Sequence, residues 1–440
     1  MSISEVLKQV EKWHENKKVE PWRPGKDWVH YAGPYYDVNE YTSAVETLLN
    51  GWLVLGAVAH KVEKRLAQLL GKEIGLLTNS GSSSNLLMMQ SLKSKRYLNL
   101  PEGTKVLTPI AGFPTTINPI YQTKFTPVFC DIEFQTLNLD LDHVEDLLKK
   151  NPDIKVITFA HVLGNPPNMN RLMDIVKKYD LILLEDCCDA LGSTYENKPL
   201  GSFGMMASIS FYPAHHITAG EGGFVACNDL ELEKVVRSYR DWGRGCFCIG
   251  KQNISACGAC NKRFSNWLPS LPDEVFDHKY VYEEIGYNMK PIELQAALLN
   301  AQLDKFDKIT SLRKRNYKLL HKIFSKYPEY FILPEPQKNS DPNWFSFPLT
   351  IKKNDRFNRA DLCTYLESKK IQTRPYFAGN ILFQPAYSHL VGDLNLDDFP
   401  NAKHVTLGTF FLGTSPVVTE EQISYIDDIV TKFFQMKAIL

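Results

Sequence analysis

Ser210-Phe211-Tyr212-Pro213-Ala214-His215-His216-Ile217-Thr218-Ala219-Gly220-Glu221-Gly222-Gly223 links two short apolar runs, Ala207–Phe211 and Gly223–Ala226. Both runs have the length of buried strands, and the segment between them closes on a glycine-rich turn. The linker carries two adjacent histidines, and an imidazole is the side chain that exchanges protons near neutral pH.

Working outward, similar apolar runs occur at Lys105–Thr108, Thr126–Asp131, Val156–His161 and Leu181–Asp186, with helical patterns such as Leu139–Lys149 and Met169–Lys178 between them. This alternation predicts a mostly parallel sheet covered by helices on both faces, with ligands at the carboxyl ends of the strands. The expected organisation is an N-terminal helix and arm over 1–40 and a large domain over 41–290. A connecting helix over 291–325, with Pro291 early in it, and a smaller C-terminal α/β domain over 326–440 complete the chain.

At 440 residues, 44% of them hydrophobic and 23% charged, the chain has the composition of a large globular protein. Its net charge of zero implies no general attraction to nucleic acid or an anionic membrane. Residues 1–18 are polar, and no apolar run approaches a membrane span, so the expected compartment is the cytoplasm.

Three motifs carry chemistry. Asn79-Ser80-Gly81-Ser82-Ser83-Ser84-Asn85 stands before the helical pattern Leu86–Leu92, and makes either a phosphate cradle or a serine-rich helix cap. Leu184-Glu185-Asp186-Cys187-Cys188-Asp189 ends a buried strand, where a carboxylate can hold a protonated pyridine nitrogen. Strand alternation puts Asp186 and Cys188 on one face and Cys187 on the other. Four of the nine cysteines, Cys246, Cys248, Cys257 and Cys260, fall between 246 and 260. A CxC followed by a CxxC supplies either a closed zinc site or iron–sulfur ligands.

In order along the chain, the serine loop, Phe113, Glu185-Asp186, the Ser210–Gly223 loop and Gly286-Tyr287-Asn288-Met289-Lys290 resemble the DegT/DnrJ/EryC1/StrS family of sugar aminotransferases. The resemblance implies a type I aminotransferase fold, a pyridoxal or pyridoxamine 5′-phosphate (PLP or PMP) cofactor, and a homodimer with active sites at its interface. It implies that Asp186 pairs with the pyridine nitrogen and that Phe113 stacks on the ring. Gly81, Ser82 and Ser210 would bind phosphate, with Asn288 contributed by the second subunit, and Asp189 would stand near the phenolic oxygen. The family has a Schiff-base lysine five residues after the phosphate serine. Here that position is His215, which cannot form the Schiff base, and His216 reads as structural.

Histidine in that slot, together with the cysteines, is similar to the PMP- and [2Fe–2S]-dependent 3-dehydrases of 3,6-dideoxyhexose biosynthesis. Fifty-seven residues separate Cys188 from Cys246, as in their pattern, and Cys246-Phe247-Cys248 is the CxC. The implied ligands are Cys188, Cys246, Cys248 and Cys260, the last because Asn261-Lys262-Arg263-Phe264 follows it, with Cys257 as the alternative. The implied reaction is C-3 deoxygenation of a nucleotide-linked 4-keto-6-deoxyhexose, CDP-4-dehydro-6-deoxyglucose foremost, with His215 moving the proton. An NADH-dependent flavin/iron–sulfur reductase is the implied electron donor, since this chain has no dinucleotide fingerprint. Thr373-Arg374-Pro375-Tyr376-Phe377 resembles the substrate-side loop, and Arg374 would meet the diphosphate or the sugar. The alternatives are a cluster-free PMP-dependent 3-dehydratase, an ordinary aminotransferase, and a zinc-binding regulatory protein on the same fold.

Overall fold

A computed structural model describes residues 1–246, 263–390 and 394–437. Seven strands form the central sheet, in the spatial order Ile74–Thr78, Gly223–Cys227, Met206–Ser210, Ile182–Asp186, Ile154–Ala160, Lys105–Pro109 and Thr126–Cys130. Only Gly223–Cys227 runs antiparallel to its neighbours; the other pairings are parallel. Every residue of Met206–Ser210 and of Gly223–Cys227 is buried, as continuous apolar strands covered on both faces must be. The sheet is therefore the mostly parallel mixed sheet expected from the alternation. The strand Ile74–Thr78 has no counterpart among the expected strands, because its Ile-Gly-Leu-Leu-Thr run merges with the preceding helix pattern.

The C-terminal part forms a second, four-stranded antiparallel sheet in the order Phe331–Ile332, Ser346–Ile351, Thr409–Gly413, Arg374–Pro375. Its apolar core includes Phe347, Leu349, Leu366, Phe410 and Phe434, all fully buried. Each such side chain removed from water contributes about 1.5–3 kcal/mol before chain entropy is subtracted. The N-terminal arm belongs to this core. Val29 is buried in it and exchanges backbone bonds with Lys370 and Gln372, at 2.7 and 3.0 Å.

The stretch 291–325 is two helices, Glu293–Asp304 and Phe306–Phe324, not one, and Pro291 precedes the first. The break falls at Lys305, whose backbone leaves the helical region at φ −118°. Its ammonium pairs with Asp37 at 2.9 Å and Glu40 at 2.7 Å, which ties the break to the N-terminal segment. The second helix crosses from the large domain to the small one and passes behind the cavity between them.

Candidate active site

A cavity of about 560 Å³ opens at the carboxyl ends of the parallel strands, where the small domain closes over the sheet. That volume suits a cofactor with part of a substrate. Asp186, the last residue of its strand, lies at the floor and is 5% exposed. Its Oδ2 accepts from Asn85 Nδ2 at 2.7 Å and from Thr116 Oγ1 at 2.8 Å, and its Oδ1 accepts from the Cys188 amide at 3.1 Å. Asn85 is oriented in turn by the Ser208 hydroxyl, which donates to its Oδ1 at 2.6 Å. These donors are neutral, so they orient the carboxylate and leave its charge for a cationic partner.

The serine loop is both a cap and a cradle. Ser80 caps the helix Gly81–Ser91, its hydroxyl accepting from the Ser83 amide at 3.1 Å. The first amides of that helix have no intrahelical partner and face an end that favours an anion. Ser82 donates to Thr115 Oγ1 at 3.0 Å, and Ser82, Thr115 and Ser210 all line the cavity. Gly81 is required by close approach: a Cβ there would stand 2.5 Å from the Ser210 Cβ and 3.0 Å from the Cys188 Sγ. Phe113 precedes the helix Pro114–Gln122 and leaves its ring 49% exposed at the cavity, edge-on to Phe377 at 5.8 Å.

His215 projects into the same cavity from the turn after strand Met206–Ser210, its amide donating to the Tyr212 carbonyl at 3.0 Å. Its Nδ1 lies 3.6 Å from Asp189 Oδ1. Burial and the nearby Arg313 push the imidazole down to about 3, against a hydrogen bond to the Cys188 backbone. Burial and the Asp186 charge push Asp189 up to about 7, against the Leu163 amide and Arg313. The spacing is that of an ion pair, but both shifts oppose charge separation. The pair is a neutral imidazole beside a carboxyl group that titrates near neutrality. His216 points elsewhere, its Nε2 bonded to the Asn343 carbonyl at 2.7 Å in the protein interior.

The model of the DegT/DnrJ/EryC1/StrS aminotransferase family matches residues 34–431. The chain belongs to that family. It is 39% identical to the lipopolysaccharide biosynthesis protein RfbH of Salmonella typhimurium, over 98% of both chains. It is 38% identical to the dTDP-4-dehydro-2,6-dideoxy-D-glucose 3-dehydratase of Saccharopolyspora spinosa, over 97% of this chain and 91% of that one. Among solved structures, GDP-4-keto-6-deoxy-D-mannose-3-dehydratase of E. coli with bound hydrated PLP superposes with a TM-score of 0.77 at 26% identity. That match covers 91% of this chain and 98% of the other. The fold is thus the type I fold of PLP-dependent aminotransferases and dehydratases.

Within this family member, Gly81, Ser82, Phe113, Asp186, Cys188, Asp189, Ser210, His215 and Arg374 all line one cavity, although they span nearly 300 positions of sequence. Arg374 lies over the Tyr31 ring at 4.4 Å and donates to the Thr373 carbonyl at 2.7 Å. Asn288 is not at this cavity in the single chain; its Oδ1 accepts from Lys290 Nζ at 2.8 Å. Cys188 opens on the cavity and Cys187 is buried on the other side against Gly201, but the strand ends at Asp186, so it is the turn closed by the Ala190 amide on the Cys187 carbonyl, and not strand alternation, that separates them. Burial and Asp186 hold the Cys188 thiol well above its ordinary range. Cys246 is partly buried, and Cys248, Cys257 and Cys260 lie outside the described residues.

The sequence reading assigned no role to Asn85, Thr116, Tyr31, Phe345 or Arg313. A signal for Asn85 existed: it stands four residues after Gly81, on the same helix face. For Arg313 there was none, since its contacts with the His215 loop span 98 and 99 positions.

Proposed function

We propose that this chain removes the C-3 hydroxyl of a nucleotide-linked 4-keto-6-deoxyhexose, as a PMP-dependent 3-dehydrase. The observation that carries this reading is His215 in the cavity: among the described lining residues there is a histidine in the family's lysine position and no lysine at all. The residues present fit the cofactor. Asp186 offers an oriented carboxylate to a ring N–H, the Gly81–Ser82 helix start with Ser210 offers a phosphate cradle, and Phe113 offers an aromatic face.

When bound, PMP supplies the amine that meets the C-4 ketone and a protonated ring that accepts electron density. Asp186 keeps that ring nitrogen protonated by charge and hydrogen bonding. His215, neutral and partly desolvated, takes a proton at the reacting carbon and returns it to the departing C-3 hydroxyl. Asp189 faces Nδ1 of the imidazole at 3.6 Å, close enough to take up a hydrogen bond when the ring shifts, and Arg374 meets the anionic nucleotide at the small-domain wall. Phe345, Phe377 and Phe411 limit water on that side.

The finer reading is that two electrons enter one at a time through a [2Fe–2S] cluster on Cys188, Cys246, Cys248 and Cys260. An NADH-dependent flavin/iron–sulfur reductase supplies them, a second subunit contributes Asn288, and CDP-4-dehydro-6-deoxyglucose is the substrate. Its support is the cysteine spacing and the position of Cys188 two residues from Asp186 on the same cavity. The second reading, a cluster-free 3-dehydratase, is favoured by the similarity to the solved GDP-4-keto-6-deoxy-D-mannose-3-dehydratase.

Anaerobic purification followed by iron and sulfide analysis separates them, together with turnover of CDP-, TDP- and GDP-linked 4-keto-6-deoxyhexoses with PMP. Two irons per chain and reductase-dependent product support the cluster. Turnover without iron, sustained by glutamate, establishes the second reading. Transamination without loss of the C-3 hydroxyl overturns both.

A further inference from the structure

Arg313 is 1% exposed, on the helix Phe306–Phe324 that passes behind the cavity. Its two terminal nitrogens serve different parts of the molecule. Nη2 donates to the carbonyls of His215 at 2.9 Å and Ala214 at 3.4 Å. Nη1 donates to the carbonyls of Phe345 at 3.0 Å and Trp344 at 3.5 Å, which lie just before the small-domain strand Ser346–Ile351. Its Nε has no acceptor. A buried cation is costly to desolvate, and removing it alone would leave the carbonyls it serves short of a donor. What a guanidinium alone provides is a rigid planar fork that bridges two segments at once.

The bridged segments are the two sides of the reacting space. His215 is on one, and on the other the Phe345 ring stands 5.2 Å from the imidazole. Phe345 also packs on Phe377 and Phe411, which line the substrate side of the cavity. The Thr414 hydroxyl donates to the same Trp344 and Phe345 carbonyls at 2.8 and 3.0 Å, so the small-domain end of the bridge is itself fixed.

We propose that Arg313 is a positioning residue that clamps the His215 loop to the Trp344–Phe345 segment, so that the imidazole and the small-domain wall of the cavity hold one relative placement. The proposal rests on the reading of His215 as the proton-transfer group. Arg313 touches no reacting atom; it acts through the backbone of the residue that does. Displacing a reacting group by about 1 Å costs on the order of 100-fold in turnover.

The test uses Arg313→Lys and Arg313→Met, each alone and combined with His215→Lys, in the full chain. His215→Lys with added PLP reports loop placement directly, through the visible absorption band of a lysine Schiff base. The expected result is a strong band in His215→Lys and at least about a tenfold slower appearance of the band when Arg313→Lys is added. Some loss of melting temperature accompanies the lost carbonyl bonds, whereas PLP binding should stay close to that of the parent.

Arg313→Lys alone should lower kcat by about 100-fold while KM changes less than about threefold. Arg313→Met is the stronger break, and Arg313→Lys keeps the charge where the methionine variant does not fold. An equal band with and without Arg313, or an Arg313→Lys enzyme with parental kcat, overturns the proposal. No band in His215→Lys alone sinks the reading of His215, and the Arg313 proposal with it.

Discussion

Asp189 Oδ1 faces His215 Nδ1 at 3.6 Å, and burial pushes the two groups in opposite directions, the carboxyl up to about 7 and the imidazole down to about 3. Neither group can carry its charge at low cost, so the pair holds its proton on the carboxyl until pH approaches neutrality.

This coupling has a measurable sign. A carboxyl raised in the folded state binds a proton there that the unfolded chain has already released. Its contribution to stability is present below the ordinary aspartate range and is lost as pH rises towards about 7. Asp189→Asn removes that dependence. In urea unfolding of the cofactor-free protein, the stability of Asp189→Asn minus that of the parent should climb between about pH 4 and 7 and be level on either side. A difference that falls over this window would contradict the raised carboxyl.

At Asp186, Asn85 and Thr116 hold the carboxylate in one orientation, at 2.7 and 2.8 Å. Asp186→Asn keeps the shape and removes the charge. Turnover should fall by about 100- to 1,000-fold, the usual loss when one oriented electrostatic group is removed. PMP affinity should fall much less, because the phosphate cradle is intact; equilibrium dialysis and steady-state rates measure the two separately.

A Cβ at Gly81 would stand 2.5 Å from the Ser210 Cβ, closer than side chains approach one another. Gly81→Ala should destabilise the fold by about 1–3 kcal/mol through overpacking. It should also weaken PMP binding, since the helix start must move away from Ser210. Calorimetric melting and a PMP titration check both effects, and unchanged PMP affinity would remove this helix start from the phosphate site.

Neighbouring cysteines provide a control for the cluster. Cys188 opens on the cavity, and Cys187 is buried behind it. Cys188→Ser should cut the iron content of anaerobically purified protein to less than about a tenth, because a hydroxyl is a poor ligand for this metal. Cys187→Ser should keep the iron and lose stability only. Equal iron in both variants would exclude Cys188 as a ligand.

Much of this site was legible without coordinates. The alternation of apolar runs and helical patterns determined the parallel sheet, because strands buried on both faces must be continuously apolar. The cavity lies at the carboxyl ends of that sheet's strands, where such folds take their ligands. Asp186 and Cys188 share the cavity as expected, although through a turn after the strand, and His215 stood out through the resemblance of its loop to the family's lysine loop. All of these join residues close together in the chain or motifs in a recognisable order.

What the tertiary structure decided is of another kind. Asn85 meets Asp186 across 101 positions, Arg313 meets the His215 carbonyl across 98, and the arm residue Val29 lies in the core of the C-terminal domain. Lys305, at the break between two helices, likewise meets Asp37 and Glu40, far away in the chain. Such pairings leave no periodic mark in either partner's own segment. Likewise, the opposed shifts of Asp189 and His215 arise from burial, which is a property of the whole packed molecule. The sequence singled out the candidate groups, and only the packed structure decided what surrounds them and in which direction burial shifts their protonation.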